Sequence, residues 1–553
     1  MPFSISGPVD RPFLWLASAL LLEAIIFYVH VNLQIAPHYP QAFDQLSYMG
    51  ATTQFLDDLS EHGLAALIQP FLSPMPHGIT YPLQGALAQL VLGPSRAALL
   101  TVNLIYFLAA QVSVFFTVRR THGGPQAAWL ALALFIGCIG IFKTAGGIAD
   151  YRIDFAAMCL FGIWVCTLSW TSEFTSRKFS IVAGLVAAAL ILMRFITVAY
   201  VGLVLIILFC YIVSLKRRDD PFYFVRIGNI LISGSIVAVI TLPALASASG
   251  SIIAYYVIGH LKGDEPAARA AEVGVVNFTG HLLYYPKSLL DYQIGTVGVV
   301  VITVTLIVAL IGKLRTRYLR IDNSFDAFVF LIASVTPLIV LTCDISKTPV
   351  AGGIILVPLM LLIALIWRSF VVPNLAPSAL RWTTYFFMVT GAVAFVVDAS
   401  SKRFDFSPED QAEIQKLNLA IADYSANMER PKIAFDRLTD YLNGATLRYY
   451  FRQEYGQTRP PPAFSETLAG ILAVRREDAL AAVKSSDVVV LTEKTSKRTK
   501  RSAFDTAVIE YWDSLDDFAE GHLTTLTSGT VDGMPYRIFV RPPSGEHQSG
   551  LNK

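Results

Sequence analysis

The chain is short of charge. Asp, Glu, Lys and Arg together make up 15% of its 553 residues, against about 25% in ordinary soluble domains. That shortage excludes a disordered chain and disfavours a soluble multidomain enzyme of this length. Cysteine is scarce too. Cys138, Cys159, Cys166, Cys210 and Cys343 all lie in apolar stretches. Neither a disulfide framework nor a zinc spacing can be read from them, so they are expected as small buried hydrophobes. A net charge of +2 without a long basic run gives no footing for nucleic acid. Also missing are the P-loop, the Rossmann glycine fingerprint, the HExxH helix and the nucleophile elbow. Their absence disfavours ATP-driven transport and the common hydrolases.

Apolar sequence is abundant: 54% of residues are hydrophobic and the mean hydropathy is +0.54. The few charges are unevenly placed. Residues 1–400 hold 23 Lys+Arg and 19 Asp+Glu, whereas 401–553 hold 20 and 22. So sharp a rise marks a domain boundary. The expected fold class is a membrane all-α bundle over 1–400 followed by a soluble α/β domain over 401–553.

A bilayer asks for about 20 apolar residues per helix. Spans are expected near 13–34, 97–117, 125–146, 155–171, 180–194, 196–215, 227–247, 293–312, 325–343, 350–367 and 382–399, eleven in all. The first is too long for a signal-peptide core and reads as a retained anchor. With the N-terminus inside, cytoplasmic loops collect fifteen Lys/Arg and external loops six, which is the usual bias. An odd number of spans then puts 401–553 outside. Long loops fall on the external side, at 35–95 and 248–292, and long loops tend to carry function. Within the first, 41–59 and 82–92 read as amphipathic or apolar helices lying in the interface plane.

Several polar residues stand out against this background. Asp44, in AFDQLSY, follows the first span and suits a general base; a solvated carboxylate or helix cap is the plainer reading. In GGIADYRIDF, Asp150 and Asp154 are four residues apart with Arg152 between them. On a helix they would share a face, although a salt-bridged cap would look the same. Arg194 interrupts ALILMRFITVAY, where it could hold a phosphate or simply snorkel. Lys143 has a similar setting. Glu23 lies mid-span and requires a buried partner or a neutral state. The second external loop carries Lys262, Arg269, His281, Tyr284, Tyr285 and Lys287, a cationic and aromatic set suited to an anionic headgroup or a sugar; Lys347 in CDISKTP is similar.

In the tail, PKIAF, DVVVLT and YRIFVRP read as strands. DALAAVKSS leads into the strand DVVVLT, AFDTAVIEYWDSLDDFAE reads as a helix, and Asp436 could cap a helix over RLTDYLNGATLRYYFRQEY. KTSKRTKR, 494–501, reads as a solvated loop.

Taken in order, FDQLSY, then TYPLQGALAQLVLGPSRAALLTVNLIYFLAAQVSVFFTVRR, then GGIADYRIDFAAMCLFGIWV resemble the GT-C superfamily of polytopic membrane glycosyltransferases. The likeness is to the bacterial branch of protein mannosyltransferases and the lipid A aminoarabinose transferase. Its motifs cover about residues 13–200, and hydropathy alone extends it to 400. Asp44 and Tyr48 match the family's first-loop acidic motif, with Gln45 where a glutamate is usual. Tyr81, Pro82 and Leu83 match its Pro-Pro-Leu element, and Asp150 or Asp154 its second-loop acid.

The resemblance implies transfer of a sugar from a polyprenyl-phosphate donor to a hydroxyl of a lipid, glycan or protein, on the external face of a bacterial inner membrane. Asp44 would be the base, and Asp150 or Asp154 would position the acceptor or a cation. Tyr48, Arg152, Arg194, Lys287 and Tyr284 would bind substrate. No cofactor is certain; Gln45 leaves metal binding unknown, and a divalent cation stays open. The alternative is a transporter or flippase of a lipid-linked or anionic substrate, which would need a polar path through the bilayer.

Overall fold

The computed structural model describes residues 11–38, 44–72, 75–122, 125–143, 145–215, 220–261, 266–267, 270–271, 273–316, 324–372, 376–400, 407–425, 428, 431–435, 447, 449–450, 465–468, 476–493, 503–531 and 533–542. They fall into two compact units. One comprises Met1–Val31 and Phe55–Lys402; the other comprises Asn32–Gln54 and Arg403–Lys553.

The first unit is helical. Its elements are α1 (Pro12–His30), the second half of α2 (Asp44–His62), α3 (Thr80–Leu92), α4 (Arg96–His122), α5 (Pro125–Ile136), α6 (Ile153–Trp170), α7 (Arg177–Met193), α8 (Thr197–Leu215), α9 (Tyr223–Ser247), α10 (Phe278–Ser288), α11 (Gly295–Thr316), α12 (Ser324–Cys343), α13 (Leu356–Ile366) and α14 (Pro377–Ser400). Among the described residues, seven helices are long and apolar enough to cross a membrane. A bent pair, Phe278–Ile294 with Gly298–Val308, would be an eighth. The protein is an integral membrane protein.

The difference from eleven expected spans has local causes. The stretch 125–146 is largely apolar, but α5 ends at Ile136 and a 3-10 turn, Ile139–Phe142, follows. The helix expected over 180–194 is α7, of 17 residues. Within 382–399, the apolar stretch of α14 is Arg381–Val397, also short.

Within lipid, helices associate through close packing and polar contacts rather than hydrophobic transfer. Small residues serve this on α7, where Ala183, Gly184, Ala187 and Ala188 are buried and the helix packs on α6 and α9. Helix α6 lies at the centre, with Phe155, Phe161, Trp164 and Cys166 buried. Glu23 of α1 meets Gln111 of α4, whose Nε2 donates to Glu23 Oε2 at 2.6 Å.

At its far end, the α6–α7 hairpin turns through Ser172, Glu173 and Phe174, all at φ between 52° and 62°. Three non-glycine residues in the left-handed region are costly. Arg226 of α9 pairs with Glu173, and Asn229 Nδ2 donates to Phe174 O at 2.7 Å, which holds the turn.

The second unit combines Asn32–Gln54 with α15 (Pro408–Ser425), α16 (Arg476–Ser485), α17 (Ala503–His522) and a five-stranded sheet. Strands β1 (Lys432–Phe435), β2 (Ser465–Leu468), β3 (Val488–Thr492), β4 (Thr524–Val531) and β5 (Met534–Val540) run in the order β2-β1-β3-β5-β4. The first three are parallel, while β5 is antiparallel to both β3 and β4. Alternation along the strands sends Ala434, Val489, Leu491 and Phe539 to one face, where they pack with Ala479, Val483, Trp512, Leu515 and Ala519. The segment around Asp436 and the run 494–501 lie outside the described residues.

Candidate functional site

Three linked clusters in the first unit are built at helix ends. The first surrounds Asp150, which is fully buried. The Gly146 N–H donates to its Oδ2 at 2.5 Å, and Arg152 Nε pairs with the same oxygen at 2.9 Å. Gly146 has φ +78°, which glycine adopts without a Cβ penalty. Asn103 Nδ2 donates to the carbonyls of Ile148 (3.1 Å) and Asp150 (2.8 Å), and its Oδ1 accepts from Tyr81 (2.8 Å). The Tyr81 ring stacks on Tyr151 at 4.7 Å. This carboxylate fixes the chain on its way into α6.

The second cluster is an ion pair between Asp154 and Arg194. Asp154 lies in the first turn of α6, where the helix dipole favours a carboxylate. Arg194 sits where α7 stops, with extended backbone angles of −144° and 104°. Both side chains are mostly shielded yet reachable, at 15% and 20% exposure. Two backbone bonds clamp this break: Ile79 N donates to Leu192 O (2.7 Å) and Phe195 N to His77 O (2.9 Å). The approach is so close that a Cβ on Gly78 would lie 1.9 Å from Met193 O. The Thr197 hydroxyl donates to Arg194 O at 2.7 Å.

The third cluster continues from this clamp. The His77 ring meets Tyr255 edge-on at 4.3 Å, and Tyr255 meets His260 at 4.9 Å. His260 Nδ1 is 3.0 Å from Asp344 Oδ2, while Asp344 Oδ1 accepts from Ser346 N. Tyr256 feels the charges of Arg194, Asp154 and Asp344, and a backbone hydrogen bond links it to Ile196; burial pushes its hydroxyl up to about 12. Lys347 is buried. It donates to the Leu341 and Thr342 carbonyls at 3.0 Å each and to Asp344 O, closing the end of α12. Burial holds its amine below the usual lysine range, against the opposing pull of Asp344.

Of the residues singled out in sequence, Asp154 and Arg194 are brought together. Asp150 and Arg152 form a separate pair. Tyr284 is half-buried, with its ring 5.0 Å from that of Tyr285, and Lys287 is exposed in the last turn of α10. Asp44 is exposed in the first turn of α2, and Tyr48 is buried one turn on; both belong to the second unit. Lys262 and Arg269 lie outside the described residues. His260, Asp344 and Tyr256 escaped sequence reasoning. The His260–Asp344 contact alone joins positions 84 residues apart, and no local pattern announces it. Among the described residues, no three His, Cys, Asp or Glu side chains gather as a metal site.

No protein-family model matches the chain, and neither does any curated protein. Solved structures do. ArnT from Cupriavidus metallidurans bound to undecaprenyl phosphate is 11% identical, with a TM-score of 0.60 over 95% of this chain and 98% of that one. Its apo state gives 10% identity and 0.59 over 94% and 98%. An alignment of nearly both full lengths at so low an identity is a likeness of architecture. The chain has the fold of the GT-C polytopic membrane glycosyltransferases.

Proposed function

We propose that the chain transfers a sugar from a polyprenyl-phosphate donor to a hydroxyl of a lipid, glycan or protein. The reaction takes place on the external face of a bacterial inner membrane, with the N-terminus cytoplasmic and 401–553 outside. The observation that carries this reading is the reachable Asp154–Arg194 pair at a break between apolar helices, in a chain of this fold.

Asp44 takes the acceptor hydroxyl proton. The acceptor oxygen bonds to the anomeric carbon as the bond from that carbon to the phosphate oxygen breaks. The polyprenyl phosphate leaves with the electron pair, and Arg194 holds its charge. Asp154 orients the guanidinium through a charge-assisted contact. Asp150 and Arg152 set the loop that delivers Asp154. Tyr48 flanks the base, and Tyr284 and Lys287 offer aromatic and cationic contacts to a headgroup. A lipid-linked donor accounts for a transferase without nucleotide-binding motifs.

General-base catalysis contributes about 10²–10⁴-fold, so Asp44→Asn should abolish the product in cells. Mass spectrometry of envelope glycans and lipids from a strain carrying this variant should lose one modified species. Unchanged species at normal protein level would overturn the assignment of the base.

A further inference from the structure

A second group of cations gathers at the end of the helix bundle remote from Arg194. Arg119 and Arg120 lie in the last turn of α4, and each sits over an aromatic ring. The Arg119 guanidinium is 4.1 Å from the centre of Phe13 at the start of α1. That of Arg120 is 4.9 Å from the centre of Phe179 at the start of α7, and Lys178 Nζ reaches the same ring at 5.9 Å. Phe13 also stacks on Phe116 at 5.5 Å, and Trp170, the last residue of α6, meets Phe179 edge-on at 5.8 Å. Rings from α1, α4, α6 and α7 thus converge beneath Arg119, Arg120, Arg177 and Lys178. Arg177 opens α7 and Arg194 follows its last residue, a separation of about 25 Å along the helix.

These cations lack acidic partners. Among the described residues, none of the four forms an ion pair with a carboxylate, and Glu173, in the turn that enters α7, is taken by Arg226, which also holds Asp220. Arg119 Nη1 is covered by protein and meets no acceptor. Arg177 and Lys178 occupy the first turn of α7, which contains no acid. There the positive end of the helix dipole disfavours a cation. Arg120 and Lys178 repel one another across one ring. A bound anion relieves all of these at once. Apolar surface flanks the same spot, since Phe13, Leu14 and Phe116 are exposed beside the cations. A soluble phosphate would leave that surface in water, whereas a lipid covers it with its chains.

We infer that this cluster binds the headgroup of an anionic phospholipid, its phosphate held by Arg119, Arg120, Arg177 and Lys178 and its chains lying against Phe13, Leu14 and Phe116. Basic clusters at helix ends with aromatic rings at headgroup depth suit such a ligand. The lipid also has a mechanical effect. Much of α1 faces outward, with Leu14, Leu21, Leu22 and Ile25 exposed, and a headgroup shared between Arg119 and α7 ties the start of α1 to the bundle through Phe13. The site is separate from the Asp154–Arg194 pair and does not depend on the reaction proposed there.

The test uses the full-length protein in detergent, titrated with phosphatidylglycerol or with phosphatidylethanolamine, which has no net charge; native mass spectrometry reads the bound lipid. The wild type should bind phosphatidylglycerol more tightly. Arg119→Gln combined with Lys178→Gln should weaken that binding about thirtyfold, the effect of two cations near an anionic headgroup, and leave phosphatidylethanolamine binding nearly unchanged. Arg120→Gln combined with Arg177→Gln, both exposed, should lose as much, and this pair carries the test if the first fails to fold. Arg119→Lys combined with Lys178→Arg keeps both charges and should stay within about threefold of the wild type. Lys432→Gln combined with Arg476→Gln removes the same charge from exposed positions in the second unit and should match the wild type. Equal binding of the two lipids by the wild type, unchanged phosphatidylglycerol binding in a folded glutamine pair at the site, or an equal loss in the second-unit pair would overturn the site. Sugar transfer is not read in this assay, so none of these results bears on the glycosyl-transfer proposal.

Discussion

Replacing Gly78 with alanine tests whether the backbone clamp sets the position of Arg194. The new Cβ would lie 1.9 Å from Met193 O and 2.5 Å from Met193 C, where ordinary contact begins near 3.4 Å. Both obstacles are backbone atoms, so no side chain can swing aside. Residues 77–79 and 192–195 would have to separate by roughly 1.5 Å, the difference between 1.9 Å and 3.4 Å. That opens the bonds from Ile79 to Leu192 (2.7 Å) and from Phe195 to His77 (2.9 Å). At about 0.5–1.5 kcal/mol net for each, the loss is about 1–3 kcal/mol of stability. Misplacing a binding group by about 1 Å can cost about 10²-fold in rate. Gly78→Ala should therefore lower the melting temperature of the detergent-solubilised protein and its affinity for undecaprenyl phosphate. Gly202→Ala on α8, with nothing within 4 Å of its Cβ position, is the matched control. A Gly78→Ala protein with wild-type melting and affinity would refute the clamp.

Arg194→Lys should retain charge yet lose most undecaprenyl phosphate binding, because an ammonium does not reproduce the planar fork that Asp154 orients; titration in nanodiscs reads this, and full retention would show that charge alone suffices. Gln111→Leu strips Glu23 of its hydrogen-bond donor and should destabilise the protein by about 1–3 kcal/mol, whereas Gln111→Asn should cost less; thermal unfolding in detergent separates the two. Lys347, with its amine held below the lysine value of 10.5 by burial, binds its proton less tightly folded than unfolded. Stability should therefore rise with pH across the window just below 10.5. Lys347→Met should flatten that rise in melting curves, and an identical slope in both proteins would remove burial as its cause.

How much of this was legible in the sequence depended on whether the signal was local. Strands β3 and β5 are nearly continuous β-branched and aromatic runs, VVVLT and YRIFV, and such runs read as strands. Strand β4, TTLTSGTV, lacks an apolar face and is largely exposed at the sheet edge, so nothing in its pattern separated it from a turn. Hydropathy found the long membrane helices but ran on through Gly137 and Gly140, where the backbone leaves the helix although the residues stay apolar. Asp154 was noticeable as one of the clustered charges in GGIADYRIDF, and Arg194 as a charge inside an apolar stretch. That they meet across 40 residues is a tertiary fact. So are the engagement of Arg152 by Asp150 and the joining of His260 to Asp344. The same holds for the grouping of Asn32–Gln54 with the second unit, which carries Asp44 and Tyr48 into it.

The left-handed turn at Ser172–Phe174 bears on how the Asp154–Arg194 pair keeps its spacing. Helices α6 and α7 are riveted at both tips: the acid and the guanidinium lock one, and the turn with its Arg226 and Asn229 ties locks the other. A strut fastened in this way can tilt in the bilayer but resists splaying. Changes in lipid thickness would then rotate the two charged groups together rather than pull them apart, and loosening Arg226 at the remote tip would slacken the grip of Asp154 on Arg194 a full helix length away.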